Sequence, residues 1–109
     1  MATQNVRQTI ALAADGQIQK YVGTTATTIT KARIMAVQAQ ATGAGGIVKI
    51  YNEGDSSKTA SALVFEAHWG TADNSDLSVK VPENGIYCDT GMYADLTNCD
   101  FVVVTGAFT

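Results

Sequence analysis

The single histidine of this chain, His68, is the residue through which most acid–base or nucleophilic chemistry would have to pass. It lies two residues after Glu66, and residues two apart on a strand share a face, so we expect the two side chains to be in contact. A Cys–His site would have to use Cys88 or Cys99, the only thiols. No nucleophile elbow surrounds any of these residues. We interpret the pair as a surface histidine beside a surface glutamate, and we predict that the protein is not an enzyme.

Acidic residues in polar turns are the second candidate for chemistry, because paired carboxylates cleave glycosidic bonds and oxygen ligands hold calcium. Five aspartates fall in predicted loops: Asp55, Asp73, Asp76, Asp89 and Asp100. The run from Asp73 to Asp76 is rich in oxygen but lacks the glycine and the distal glutamate of an EF-hand loop. An ordinary turn is predicted there, and 109 residues leave little wall for a sugar-cleaving cleft. We predict no metal and no cofactor.

Two cysteines, Cys88 and Cys99, are 11 residues apart. A small secreted scaffold held by disulfides carries more cysteines, and the paired spacing of zinc ligands is missing. We therefore expect two reduced thiols that are buried or half-buried. A disulfide between adjacent strands is the alternative.

Charge and hydropathy narrow the range of partners. The chain has seven Lys and Arg residues against ten Asp and Glu, and the basic residues form no stripe that could neutralise a phosphate backbone. The nearest apolar stretch to the start, Ile10 to Ala14, is five residues long, whereas a membrane helix needs about 20. A secretory signal would need a longer apolar run behind a basic start. We expect neither nucleic acid nor membrane as a partner, and synthesis in the cytoplasm.

The large semi-polar aromatic residues are Trp69, Tyr51, Tyr87 and Tyr93. We expect them to pack in the core or at its rim. A platform for sugars is the alternative, and aromatic residues of this kind are also enriched at protein interfaces.

Any such side chains must be positioned by β-structure. Val and Ile together number 17 and Thr numbers 14, against only four Leu. These β-branched side chains lose rotamer freedom in helices and pack well on a pleated sheet. The composition therefore predicts an all-β fold.

The pattern of alternation and turns divides the chain into eight or nine short strands about 8–12 residues apart, which is typical of a β-sandwich. A jelly roll of two four-stranded sheets has this number of strands. Residues 1–8 are polar and without periodicity, so we interpret them as an N-terminal arm, followed by one β-sandwich domain over residues 9–109. In the strand Ser61–Trp69 we expect Leu63, Phe65, Ala67 and Trp69 to share a face.

Ile29–Thr42 is the ambiguous stretch. As a strand it alternates, with Ile34 on one face and Val37 on the other. As a helix it would align Ile34, Val37 and Ala41 on one stripe. We predict the strand, because a Thr-rich segment leads directly into it and a glycine-rich turn follows it.

The final predicted strand, Phe101–Phe108, begins with four apolar residues that project to both faces of a sheet. One face can enter the core, and the other would be an exposed apolar patch that invites association. We predict that Phe101, Val102, Val103 and Val104 form an interface between copies of the chain.

The closing third carries a resemblance to a known group of proteins. Pro82, Gly85-Ile86, Thr90-Gly91-Met92-Tyr93 and the final valine-rich strand resemble the small β-sandwich virion proteins of tailed bacteriophages, which decorate capsids or form fibre and knob modules. The resemblance extends from about Val6 to Phe108. It implies a capsid decoration (cement) protein at the virion surface, a homotrimer whose partners are its own copies and the major capsid protein or other virion proteins.

On this reading the polar arm contacts the capsid or a neighbouring copy through Thr3, Gln4, Asn5 and Arg7. The resemblance supplies no catalytic residues. The alternatives are a phage fibre or knob module, and, as a different class, a small carbohydrate-binding module that contacts glycans of the host surface.

Overall fold

The computed structural model of the chain describes residues 6–42, 45–70, 76–82 and 84–109, and 60% of these lie in strands. The strands in this part of the chain are β1 Val6–Gln8, β2 Gly16–Gln17, β3 Gln19–Val22, β4 Thr25–Thr28, β5 Ala32–Ala41, β6 Ile47–Tyr51, β7 Leu63–His68, β8 Asp76–Lys80, β9 Ile86–Cys88, β10 Tyr93–Thr97 and β11 Cys99–Phe108. A single 3-10 turn, Ala60–Ala62, is the only helical element in these ranges. The prediction of an all-β fold is confirmed. No helix among the described residues is long and apolar enough to cross a membrane.

The strands form two antiparallel sheets and a separate ribbon. Sheet A has the order β1-β11-β5-β8, with β9 also beside β5, and sheet B has the order β2-β10-β6-β7. The pairs β6·β7, β5·β8, β2·β10 and β1·β11 are those of one long hairpin whose successive pairs alternate between the two sheets. This arrangement is a jelly roll, as the sequence predicted. The ribbon β3·β4 and strand β9 are additions to it, which is why the described residues hold more strands than the eight or nine expected.

The core lies between the two sheets, because alternate side chains of each strand point inward. Its fully buried side chains include Ile34, Val37, Val102 and Val104 of sheet A, and Val48, Ile50 and Ala94 of sheet B. Trp69, just after β7, closes the same cluster. Side chains of both sheets therefore share one hydrophobic core.

Strand β5 resolves the ambiguous stretch Ile29–Thr42, and the helical alternative is wrong there. Both Ile34 and Val37 are fully buried, although simple alternation placed them on opposite faces. The register with β11 skips Met35, which is an extra residue in β5. Such a bulge reverses the alternation beyond it, so both side chains reach the core.

A second irregularity lies between β6 and β7. The pairing passes from Ile50 opposite Phe65 to Tyr51 opposite Leu63, so Val64 is the extra residue. Val64 and Phe65 both pack against the core, and Trp69 is buried, as expected. Leu63, predicted on that face, is not part of the core cluster because the shift falls beside it.

The end of the predicted arm belongs to the sheet. Val6–Gln8 is the edge strand β1, in which Arg7 pairs with Gly106 of β11. Thr3, Gln4 and Asn5 lie outside the described residues.

Candidate functional site

Strand β11 divides the predicted interface residues between two surfaces. Val102 and Val104 are 1% and 0% exposed and lie in the core, so they cannot contact a partner in the folded domain. Phe101 and Val103 point to the other side and are half-buried. The interface prediction is thereby reduced to these two side chains.

The outer face, defined as the side of sheet A turned away from sheet B, surrounds this apolar pair with polar side chains. Phe101 pairs with Gln40 and Val103 with Gln38 on β5. On β8, Gln38 in turn pairs with Ser78 and Gln40 with the exposed Asp76. The centre of the outer face is therefore an apolar pair beside uncharged amides, a surface that loses little hydration of full charges on being covered.

The ribbon β3·β4 carries the most exposed large apolar side chains of the described residues. Tyr21 and Val22 are 58% and 56% exposed and precede the turn at Gly23. Gly23 has a φ of 65°, which glycine adopts without strain, and it opens a two-residue loop. The sequence pattern did not predict this hairpin. A glycine in a short loop before a threonine-rich segment was the signal for this hairpin.

His68 and Glu66 are in contact, as expected. His68 Nε2 lies 2.5 Å from Glu66 Oε2 on β7, the edge strand of sheet B. The hydrogen bond to His68 holds the pKa of Glu66 below its usual value. Both side chains are exposed. The arrangement is an exposed histidine–carboxylate pair at a sheet edge.

The two thiols are far apart and free. Cys88 pairs with Ala32 and Cys99 with Ala41, at opposite ends of β5. Nine residues of strand separate these positions by about 30 Å, so no disulfide can join the two within one chain. Burial, with a smaller contribution from the charge of Asp89, raises the pKa of Cys88 to about 11. A thiol of this kind is a packing residue rather than a nucleophile.

An exposed ion-pair cluster fastens the loop before β7 to β10. The ammonium of Lys58 lies 3.2 Å from Asp15 Oδ2 and 3.6 Å from Asp95 Oδ1, and Asp15 Oδ1 accepts a hydrogen bond from the N–H of Leu96 at 2.7 Å. Burial alone would raise the pKa of Asp15, but the N–H of Leu96 and the ammonium outweigh it and lower that pKa. The cluster connects three segments of the chain and leaves its carboxylates paired.

The acidic loop positions do not converge on a metal. Asp55 accepts a hydrogen bond from the N–H of Ser57 at 2.9 Å, which is a local turn. Asp76 begins β8, Asp89 is bonded by Asn52 and Thr90, and Asp100 lies on β11. Asp73 and most of the oxygen-rich run lie outside the described residues. Within the described ranges no group of three metal-ligating side chains is found.

Three of the four large aromatic residues pack as predicted. Tyr51, Tyr93 and Trp69 are buried, whereas Tyr87 on β9 is 53% exposed. The guanidinium carbon of Arg33 lies 5.4 Å from the centre of the Tyr87 ring, within the range of a cation–π interaction. Arg33 Nη1 also donates a hydrogen bond to the carbonyl oxygen of Asn84 at 2.9 Å. The guanidinium is thus held in place from two sides.

The same two residues belong to a basic cleft at the end of sheet A where β5 begins and β11 ends. We define the basic cleft by Arg7, Lys31, Arg33, Tyr87 and Phe108; its volume is about 420 Å³. Three of the seven basic residues of the chain line it, and no acidic side chain does. The sequence pattern brought only Lys31 and Arg33 together. Arg7 joins them because β1 pairs with β11, which no local pattern predicts.

Comparisons of the chain with protein-family models, with curated proteins and with solved structures gave no match. The function is therefore argued from two surfaces of the molecule, the outer face of sheet A and the basic cleft.

Proposed function

We propose that this chain is a structural virion protein, a capsid decoration (cement) protein of a tailed bacteriophage that binds and stabilises the capsid surface. It acts by binding and assembly, without catalysis. The observation that carries the proposal is an apolar pair, Phe101 and Val103, on the outer face of a central strand in a jelly-roll sandwich. Such a face is suited to being covered by another protein surface.

The jelly roll supports this proposal by analogy. Viral capsid proteins use the fold, and so do lectins and cupins, so the fold narrows the function without fixing it. The resemblance of the segment from Pro82 to Tyr93 to phage virion proteins favours the capsid branch of these possibilities.

Self-association is the second part of the proposal. Covering Phe101 and Val103 on a neighbouring copy contributes about 25 cal/mol for each Å² of apolar area removed from water. The loss of freedom on association offsets part of this gain, so further contacts around the pair are needed. The uncharged Gln38 and Gln40 beside the pair can supply hydrogen bonds without burying a charge. The number of three copies comes from the resemblance.

Contact with the capsid is assigned to the N-terminal segment. Arg7 is exposed on the edge strand β1, at the rim of sheet A. In the proposal Thr3, Gln4 and Asn5, which precede this edge, contact the major capsid protein or another virion protein.

A second candidate function is a fibre or knob module, or a small carbohydrate-binding module, that contacts glycans of the host surface. The exposed ring of Tyr87 beside Arg33 favours it, because an aromatic face next to a fixed hydrogen-bond donor suits sugar recognition.

Three measurements test the leading proposal against the second. Sedimentation of the purified protein should give a trimer, and antibody labelling of virions that carry it should cover the whole capsid surface. Capsids assembled without the protein should break open at a lower temperature, and adding the protein back should restore them. Labelling confined to a tail or fibre would favour the second candidate. A monomeric protein that leaves capsid stability unchanged would refute the first.

A further inference from the structure

We propose that the basic cleft binds an acidic saccharide, whose carboxylate or phosphate group is held by Arg33 and Lys31 and whose ring lies against Tyr87. This inference rests on the second candidate function and names the class of sugar and the residues that would bind it. It is independent of assembly through Phe101 and Val103, which uses the other end of β11 and needs no small ligand.

The charge of the cleft is the first argument. The chain carries a net charge of −3, yet three of its seven basic residues line one concavity that has no acidic side chain among its lining residues. Thr109 also lines the cleft, and its backbone oxygen accepts hydrogen bonds from the N–H groups of Thr30 and Lys31. Like charges placed near one another repel and gain no stability from their proximity. Asp89, whose low pKa comes first from its hydrogen bond with Asn52 and only to a smaller extent from Lys31, does not line the cleft. An anion bound in the cleft would reduce the repulsion.

Preorganisation of Arg33 is the second argument. Its guanidinium already rests near the ring of Tyr87 and donates one hydrogen bond to Asn84. A guanidinium has five N–H donors, so four are left for a ligand. The planar fork matches a carboxylate or a phosphate, and a side chain fixed in advance loses less freedom on binding.

The ring of Tyr87 and the neighbouring apolar wall argue for a sugar rather than a bare anion. Tyr87 is 53% exposed, and Ala32, Ala107 and Phe108 line the same cleft. Inorganic phosphate would use none of this apolar surface. A sugar ring presents a face of C–H groups that packs on an aromatic ring while its acidic group reaches the cations. The volume of about 420 Å³ lies in the range of small-ligand sites.

The test is a titration of the full chain, uniformly labelled with ¹⁵N, with glucuronic acid, glucose 6-phosphate, glucose and inorganic phosphate, followed by amide chemical shifts. We expect the two acidic sugars to shift amides of Lys31, Arg33 and Tyr87 in a saturable way that weakens as salt is raised. Glucose and inorganic phosphate should each bind at least about tenfold more weakly, because each lacks one half of the interaction.

Matched variants localise the binding. Lys31→Gln and Tyr87→Ser should each weaken the acidic sugars at least about tenfold, and Lys80→Gln, which removes the same charge on β8 away from the cleft, should leave them unchanged. Lys31 and Tyr87 are exposed, so the fold is retained and thermal unfolding verifies it.

Three results would overturn the proposal. The first is no saturable shift with either acidic sugar on the order of 10 mM. The second is equal affinity for inorganic phosphate and the acidic sugars, which would indicate a simple anion site. The third is an equal loss of affinity in Lys80→Gln and Lys31→Gln, which would show that the ligand responds to the overall charge of the protein and not to the cleft. None of these results depends on whether the protein assembles on a capsid.

Discussion

Adjacent residues of β11, Val103 and Val104, allow the two sides of sheet A to be perturbed by the same chemical change. Val104→Lys would place an ammonium where the native side chain is 0% exposed, opposite Val37, which is equally buried. The effective penalty for burying an unpaired charge is several kcal/mol. With the lost apolar contacts we expect a cost of about 5 kcal/mol, comparable with the whole stability of many domains. Its Tm should fall by about 20 °C or more, or the variant should not fold.

Val103→Lys should behave differently, because Val103 is half-buried on the outer face. The lysine stem can lie along the sheet and its ammonium can reach water, so the isolated domain should lose no more than about 1 kcal/mol. In an assembly that covers Val103, the same ammonium would be desolvated. A penalty of about 4 kcal/mol weakens association by roughly a thousandfold, which is enough to leave a folded monomer.

The assays are thermal unfolding by circular dichroism and sedimentation velocity. Val22→Lys is the matched control, since it makes the same substitution at an exposed valine on the ribbon, and it should change neither Tm nor the oligomer. Equal losses of Tm in Val103→Lys and Val104→Lys would contradict the assignment of the two faces. A stable Val103→Lys oligomer identical to the wild type would show that the copies meet elsewhere. A monomeric wild type would refute the self-association itself.

Three further outcomes follow from single positions. Gly106→Ala, which would put a Cβ 2.0 Å from a backbone oxygen of β5, should cost more than about 2 kcal/mol in urea denaturation. Gly54→Ala is the control, because its Cβ would lie 3.6 Å from the nearest backbone oxygen, and it should change the free energy of unfolding by no more than about 0.5 kcal/mol. Similar losses of stability in the two variants would contradict the predicted clash at Gly106. His68→Ala should leave stability and assembly within about 0.5 kcal/mol of the wild type, and a loss of binding would identify a functional site at the histidine. Cys88 is fully buried, and burial raises its pKa to about 11, so iodoacetamide should modify the half-buried Cys99 first and Cys88 only after unfolding. A mass gain of two hydrogens on reduction would instead reveal a disulfide.

The fold class could be predicted because it depends on properties that add up along the chain. β-branched residues, alternation and glycine-rich turns all favour short strands, and no segment contradicts them strongly. The segment Ile29–Thr42 was ambiguous because helical and strand patterns share Ile34 and Val37. The bulge at Met35 brings both side chains to the core within a strand, so the spacing that resembled a helix has its origin in an inserted residue.

Sites formed by strands that are distant in the sequence could not be predicted from local sequence patterns. The basic cleft takes Arg7 from β1 and Arg33 from β5, on either side of β11, and Arg7 is brought there only because the outermost hairpin of the jelly roll pairs β1 with the end of β11. The exposed Tyr87 is a similar case. Its alternation on β9 does not reveal that Arg33 on the neighbouring strand covers one part of its ring.

Strand β11 thus carries both candidate surfaces, at opposite ends. Phe101 and Val103 belong to the outer face, whereas Phe108 lines the basic cleft. Gly106 stands between them, where the close approach of the Arg33 carbonyl leaves no room for a side chain. Because β11 is paired with β5 along its length, and with β1 from Thr105 to Ala107, the two ends are held by one ladder. Lys31→Gln, which alters only an exposed charge in the cleft, should therefore leave assembly intact, and Val103→Lys should leave saccharide binding intact. A change at Gly106 should damage both, because it acts on the ladder that positions them.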